Sequence, residues 1–275
     1  MKDRPTSLFE ISPKGTVPVL RTADKTFEES MDIIYWALDN SNKLEVFFDN
    51  NIYRLDNFKK LIHWGDKRFK NKGLRKPVIL PLYPQYAAAT TATVCDEVYR
   101  SLSKMRWQPS LQIIPHYESE PLYIEAIIKS IEVKINQINW KPDLIIASYH
   151  GIPKRYFEKG DPYHCYCHKT TRLISEKMKS EIPIITTFQS RFGPQEWLQP
   201  YTDKTLENLP KEGKKNILVI CPGFASDCVE TLEEISIEGK SSFIEQGGEN
   251  FEFIPCLNDS ERHIDLFSHL VKRYV

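Results

Sequence analysis

At 275 residues the chain is long enough for one large or two modest domains, and a hydrophobic content of 41% supports a packed core. Its 37 basic residues balance 37 acidic ones, so no bulk charge points to nucleic acid. No apolar run reaches the roughly 18 residues of a conventional transmembrane helix, which excludes a membrane span of that kind.

Residues 1–75 read as a separate piece. The opening Met1-Lys2-Asp3-Arg4-Pro5 lacks the apolar stretch of a signal peptide, so a cytoplasmic chain is expected. Its six cysteines are then expected as thiols or ligands rather than disulfides. Residues 12–20, with Gly15 and Pro18, form a turn feeding a short strand. Glu29-Ser30 then caps an amphipathic helix over 31–38, whose apolar positions Ile33, Ile34, Ala37 and Leu38 share a face. The stretch resembles the amino-terminal, thioredoxin-like domain of glutathione transferases. That resemblance implies Val17, Glu29 and Ser30 as glutathione contacts. From the residues alone the alternative stays open that Pro18 shapes a turn and Glu29-Ser30 only caps a helix. The transferase strand and helix that carry the nucleophile would precede residue 1, so no conjugating activity is expected. Residues 67–76 are basic and polar, as linkers often are.

From residue 77 short apolar segments alternate with helical ones. Strands are expected at 78–82, 111–114, 144–148, 182–187, 216–221 and 251–255. Helices are expected near 92–105, 121–138, 167–180, 203–212, 227–236, 240–247 and 260–273. This order implies an α/β fold, a parallel sheet covered on both faces.

Two strand ends carry the chemistry. The run Leu144-Ile145-Ile146-Ala147 ends in Ser148-Tyr149-His150-Gly151-Ile152-Pro153, delivering a histidine where open α/β sheets gather ligands. The run at 216–221 enters Pro222-Gly223-Phe224 and then a helical segment with Asp227, Glu230, Glu234 and Glu238. An imidazole beside a ladder of carboxylates suits handling of protons, a metal ion, or both. Taken singly, a strand-end histidine is more often structural. Acids in a first helical turn are favoured by the macrodipole and usually face water, which suits Asp227 best.

Four words in order resemble bacterial ferrochelatase: Leu80-Pro81-Leu82-Tyr83-Pro84-Gln85-Tyr86 with Thr90-Thr91, the Ser148–Pro153 word, Gln189-Ser190-Arg191-Phe192-Gly193-Pro194 with Trp197-Leu198, and the segment from Cys221 to Glu234. The likeness covers about residues 76–275 and lacks the family's amino-terminal part. It implies a Rossmann-like, doubly wound sheet, with the end of a first lobe and a complete second lobe, preceded by the partial thioredoxin-like segment. It further implies insertion of Fe²⁺ into protoporphyrin IX in haem biosynthesis, with no cofactor required and iron as substrate. His150 and Glu230 are the implied catalytic pair, His150, Glu230 and Glu234 the implied metal-handling set, and Tyr83, Tyr86, Trp197 and Phe224 the implied porphyrin-binding walls. Arg191 and Lys154 are weaker candidates for the propionates. Peripheral membrane contact is compatible with this reading; nucleic acid is not a partner. The competing expectation is a catalytically inactive fusion that binds porphyrin or glutathione at most.

Cys165-Tyr166-Cys167, flanked by His164 and His168, is expected in a loop as a cluster of soft ligands. With Cys228 and Cys256 it makes a [2Fe–2S] cluster a candidate, but Cys-x-Cys lacks the usual spacing and free thiols are favoured. Zinc is a further alternative.

Overall fold

The computed structural model describes residues 76–274, together with the backbone of Leu20–Arg21 and Thr26–Phe27. The chain divides into two units at Leu74–Arg75. In the first, β1 (Leu20–Arg21) pairs antiparallel with β2 (Thr26–Phe27). Val17, Glu29 and Ser30 lie outside the described residues.

The second unit is built on two parallel sheets. In the smaller, β3 (Val78–Ile79) pairs with β4 (Gln112–Ile113). A π-helical turn, Ala88–Ala92, and α1 (Thr93–Ser103) connect them. The larger sheet comprises β5 (Leu144–His150), β6 (Ile184–Gln189), β7 (Asn216–Ile220) and β8 (Asn250–Phe253), in the order β6-β5-β7-β8. All its pairings are parallel.

Side chains alternate across a strand, and here each parity finds its own core. Ile145, Ala147 and Tyr149 of β5, Phe188 of β6 and Leu218 and Ile220 of β7 pack on one face. That face is covered by α2 (Pro121–Gln137), α4 (Tyr163–Lys177) and α8 (Glu261–Lys272), through Ile124, Ile131, Ile174 and Leu266. Leu144, Ile146, Ile217 and Val219 face the other way, onto Leu206 of α5 (Thr202–Asn208), Ile235, and Phe243 of α7 (Lys240–Glu245). Continuous apolar runs in β5 and β7 are therefore required by burial on both sides. A short helix, α3 (Lys154–Glu158), follows β5 directly.

The step from β5 to β6 crosses one face through α4, while the step from β7 to β8 goes the opposite way across the other. The winding thus reverses between β5 and β7, which opens a crevice at their carboxyl ends. Two segments brace it. Gln85, only 2% exposed, reaches Thr170 Oγ1 at 3.0 Å and Tyr123 Oη at 3.4 Å. Tyr123 in turn donates to the Pro222 carbonyl just past β7. Glu118, 1% exposed, accepts from Lys169 Nζ at 2.8 Å and lies 2.6 Å from His116 Nδ1. Burial alone would raise its pKa, but Lys169 and His116 hold it below the ordinary range.

Two expected boundaries shift. Helix α4 begins at Tyr163, so Cys165 and Cys167 are helical rather than in a loop. The two helices expected over 227–247 are continuous: a single α-turn, α6 (Val229–Thr231), a π-helix, Leu232–Gly239, and then α7. Gly239 does not break it. A Cβ there would stand 3.0 Å from Leu206 Cδ1 and 3.2 Å from the Glu234 carbonyl, so the glycine permits close packing.

Candidate active site

His150 is the last residue of β5 and is half-buried at the crevice. Its parity with Ile146 and Ser148 points it to the α5 and π-helix face. Nδ1 lies 2.7 Å from the Gly151 carbonyl oxygen. A carbonyl can only accept, so Nδ1 carries the proton and Nε2 keeps its lone pair in the neutral ring. The rings of Trp197 and Phe224 flank the imidazole, each 6.4 Å between centroids.

Gly151 allows this arrangement. A Cβ on it would sit 2.9 Å from the Gln189 carbonyl and 3.0 Å from Trp197 Cε3. The loop beyond it is zipped to the Trp197 segment by Leu198 N–H donating to the Ile152 carbonyl at 3.0 Å and a bridge between Pro153 and Trp197. Trp197 Nε1 donates to the Phe192 carbonyl at 3.0 Å, which fixes the indole plane while leaving Phe192 75% exposed.

The carboxylates approach from the segment after β7. Glu230 occupies the first turn, half-buried, and its neighbour Cys228 has its thiol pushed up to about 11 by burial and then by the Glu230 carboxylate. Glu234 is gripped from β6: its oxygens accept from Ser190 N–H at 2.6 Å and Ser190 Oγ at 2.5 Å. Ser190 takes a left-handed conformation, φ 62°, to present both donors, a strained geometry for a residue with a Cβ. Glu234 and Glu238 share the lining of a cavity of about 230 Å³ with Ser190, Arg191 and Asp203. A π-helix turns more slowly than an α-helix, so residues four and five apart stay on one face and the acidic stripe is preserved.

Gln189 organises these parts, although spacing and composition do not single it out. It is 3% exposed; its amide donates to the Glu230 carbonyl at 2.7 Å and lies 3.4 Å from Glu234 Oε2, while its Oε1 accepts from Ser148 Oγ at 2.7 Å. The signal available was its place at a second strand end within the Gln189–Pro194 word.

The structure brings His150, Trp197 and Phe224 together in ring contacts, and joins Glu230 and Glu234 through Gln189. It does not bring in Tyr83, 41% exposed, or half-buried Tyr86: neither ring stacks on this group. Asp227 is not a water-facing acid. Its carboxylate accepts from Cys256 N–H at 3.0 Å and Asn258 Nδ2 at 2.7 Å, tying the β7 and β8 loops. Lys154 and Arg191 are ion-paired with Glu196 and Asp203 at 3.0 and 2.7 Å.

A thiolate cluster does not assemble. Cys165 and Cys167 sit two apart on α4, where successive residues turn by about 100°, so one is exposed and the other buried. All six cysteines are free, and no group of three or more His, Cys, Asp or Glu among the described residues is arranged to hold a metal. His150, Glu230 and Glu234 therefore do not form a preassembled three-ligand site.

The sequence model of the ferrochelatase family matches residues 55–275. Ferrochelatase of Allorhizobium ampelinum is 55% identical over 202 residues, 73% of this chain and 59% of its own length. That of Rhizobium johnstonii is 44% identical, covering 93% of this chain and 79% of the relative. That of Francisella tularensis subsp. novicida is 41% identical over 273 residues, covering 98% of this chain and 82% of the relative. The chain spans about 60% of the length of the rhizobial relatives that it matches at 54–55% identity. Among solved structures, SirB from Bacillus subtilis with Fe³⁺ shares the fold, with a TM-score of 0.53 at 15% identity over 76% of this chain and 75% of that one.

Proposed function

Because the chain belongs to the ferrochelatase family, we propose that it carries out that family's reaction: Fe²⁺ and protoporphyrin IX give protohaem and two protons. The observation that carries this reading is His150, whose Nδ1–H is committed to the Gly151 carbonyl and whose Nε2 lone pair is left at the crevice between Trp197 and Phe224. Metallation must remove two pyrrole N–H protons and bring a partly desolvated ion to the ring centre. His150 Nε2 accepts a pyrrole proton or meets the iron. Glu230 and Glu234 relay the ion or the released protons along the π-helix, with Gln189 and Ser190 holding them in place. Trp197 and Phe224 supply the apolar wall for the macrocycle, and Tyr83 and Tyr86 extend it if the substrate reaches the small sheet.

The finer parts of the reading rest on sequence. A domain division near residue 75 is supported by the split at Leu74–Arg75, whereas a glutathione transferase-like segment with Val17, Glu29 and Ser30 as glutathione contacts is supported by the sequence words alone. The Rhizobium johnstonii and Francisella alignments extend into that segment, which favours ferrochelatase ancestry there as well. No helix among the described residues is long and apolar enough to cross a membrane. Peripheral contact is compatible with exposed Phe192, Val229 and Ile237. A [2Fe–2S] cluster has no support from the placement of Cys165, Cys167 and Cys228.

A second reading is a porphyrin-binding chain without turnover, compatible with the absence of a preassembled three-ligand site among the described residues. Absorbance-monitored insertion of Fe²⁺ or Zn²⁺ into protoporphyrin by the full chain separates the two. Turnover that depends on His150 supports the enzyme; porphyrin binding with no insertion supports the alternative.

A further inference from the structure

Helix α4 carries a feature that the crevice does not use. His164 and His168 are four residues apart, so they share a helix face. Their ring centroids are 4.4 Å apart at an interplanar angle of 48°. Both rings lie over Phe188, at 5.8 and 6.1 Å, and Phe157 packs on His164 at 4.9 Å. Phe188 belongs to the core on the Tyr149 face of the sheet, whereas His150 points to the other face. Among the described residues neither imidazole has a hydrogen-bond partner, so the ring nitrogens are uncommitted.

We propose that His164 and His168 form a binding site for a late first-row divalent ion of the Zn²⁺, Ni²⁺ or Cu²⁺ kind, separate from the crevice of His150. Two imidazoles one helical turn apart can grip a single ion from one face, as in helical His-x-x-x-His pairs. With metal–nitrogen bonds of about 2.0–2.1 Å and a tetrahedral angle, two ligating rings have centroids roughly 5 Å apart. The pair is within a fraction of an ångström of that spacing, and packing on Phe157 and Phe188 limits the rotamer freedom lost on binding. Imidazole favours the later divalent ions over Mg²⁺ or Ca²⁺. No third protein ligand joins the pair among the described residues, so water completes the shell.

The test uses the full chain stripped with a chelator. Equilibrium dialysis against Zn²⁺ should reveal an equivalent that persists in His150→Ala and in Cys165→Ser. Either His164→Gln or His168→Gln should weaken it by at least roughly 10–100-fold, the cost of disturbing even an outer-shell partner of a metal ligand. Cu²⁺ bound to wild type should show two equatorial imidazole nitrogens by electron paramagnetic resonance, and one after either substitution. Unchanged binding in the double variant, or loss of the equivalent in Cys165→Ser, overturns the proposal. If the variants do not fold, the wild-type chain answers directly through diethylpyrocarbonate labelling read by mass spectrometry. Zn²⁺ should protect His164 and His168, and unprotected labelling of both overturns the site.

Discussion

Gln189 stands directly across from His150 in the parallel β5–β6 ladder, and the Gly151 N–H donates to its carbonyl at 2.8 Å. The same residue's side-chain amide reaches the Glu230 carbonyl and Glu234. One buried glutamine thus connects the strand that presents the imidazole to the helix that presents the carboxylates. Their relative position is set by a hydrogen-bonded bridge rather than by packing alone.

Gln189→Leu should therefore lower metal insertion by about 10²-fold, the cost of a small misplacement of reacting groups. Porphyrin affinity, read by fluorescence quenching, should change little, because Gln189 is only 3% exposed and its side chain is taken up by Ser148 and Glu230. Gln189→Glu should rescue less than Gln189→Asn, since a carboxylate facing Glu234 adds repulsion. An equal fall in kcat and in porphyrin affinity would show that Gln189 only supports the fold.

His150→Ala should abolish measurable insertion, and Glu230→Gln should reduce it by roughly 10²- to 10⁴-fold, the range of general acid–base groups. The measurement is the absorbance change on Zn²⁺ or Fe²⁺ insertion into protoporphyrin. Turnover that survives His150→Ala would remove the imidazole from the mechanism.

Gly151→Ala should destabilise the fold by about 1–3 kcal/mol, the usual cost of overpacking. The added methyl meets Trp197 Cε3 and the backbone carbonyl of Gln189, the residue paired with His150 across the ladder. A thermal melt lower than wild type is the expected outcome.

Acid should destabilise the second unit in two stages. Burial holds the His263 imidazole below its ordinary 6.5, although its contact with the Asn258 carbonyl opposes that. The unfolded chain then takes up a proton that the folded one refuses, so stability falls as pH drops from 6.5 through the lowered value. Glu118 is also held below its ordinary 4.5, so its contribution, present above that value, is lost at more acid pH as it falls through the folded pKa. Denaturant melts from pH 7 to well below pH 4 check the sequence; His263→Gln should shrink the first stage without removing it, because burial also holds the His164 and His168 imidazoles below their ordinary value.

The alternation of strands and helices, the parallel sheet and the strand ends that carry His150 and the Cys221–Glu234 segment are legible in the sequence. Burial on both faces forces continuous apolar runs at 144–147 and 217–220, and the words that close them carried the ferrochelatase resemblance. Only the tertiary structure decided which side chains meet. Spacing along the chain could not show that Cys165 and Cys167 diverge, because that depends on α4 starting at Tyr163. Nor could it show that Asp227 ties two loops while Glu234 is held by Ser190, because both are acids near the start of one helical stretch. Their roles separate through partners distant in sequence, Asn258 in one case and Ser190 in the other. A local pattern sets which face of an element a residue occupies, but the strand order decides what lies opposite that face.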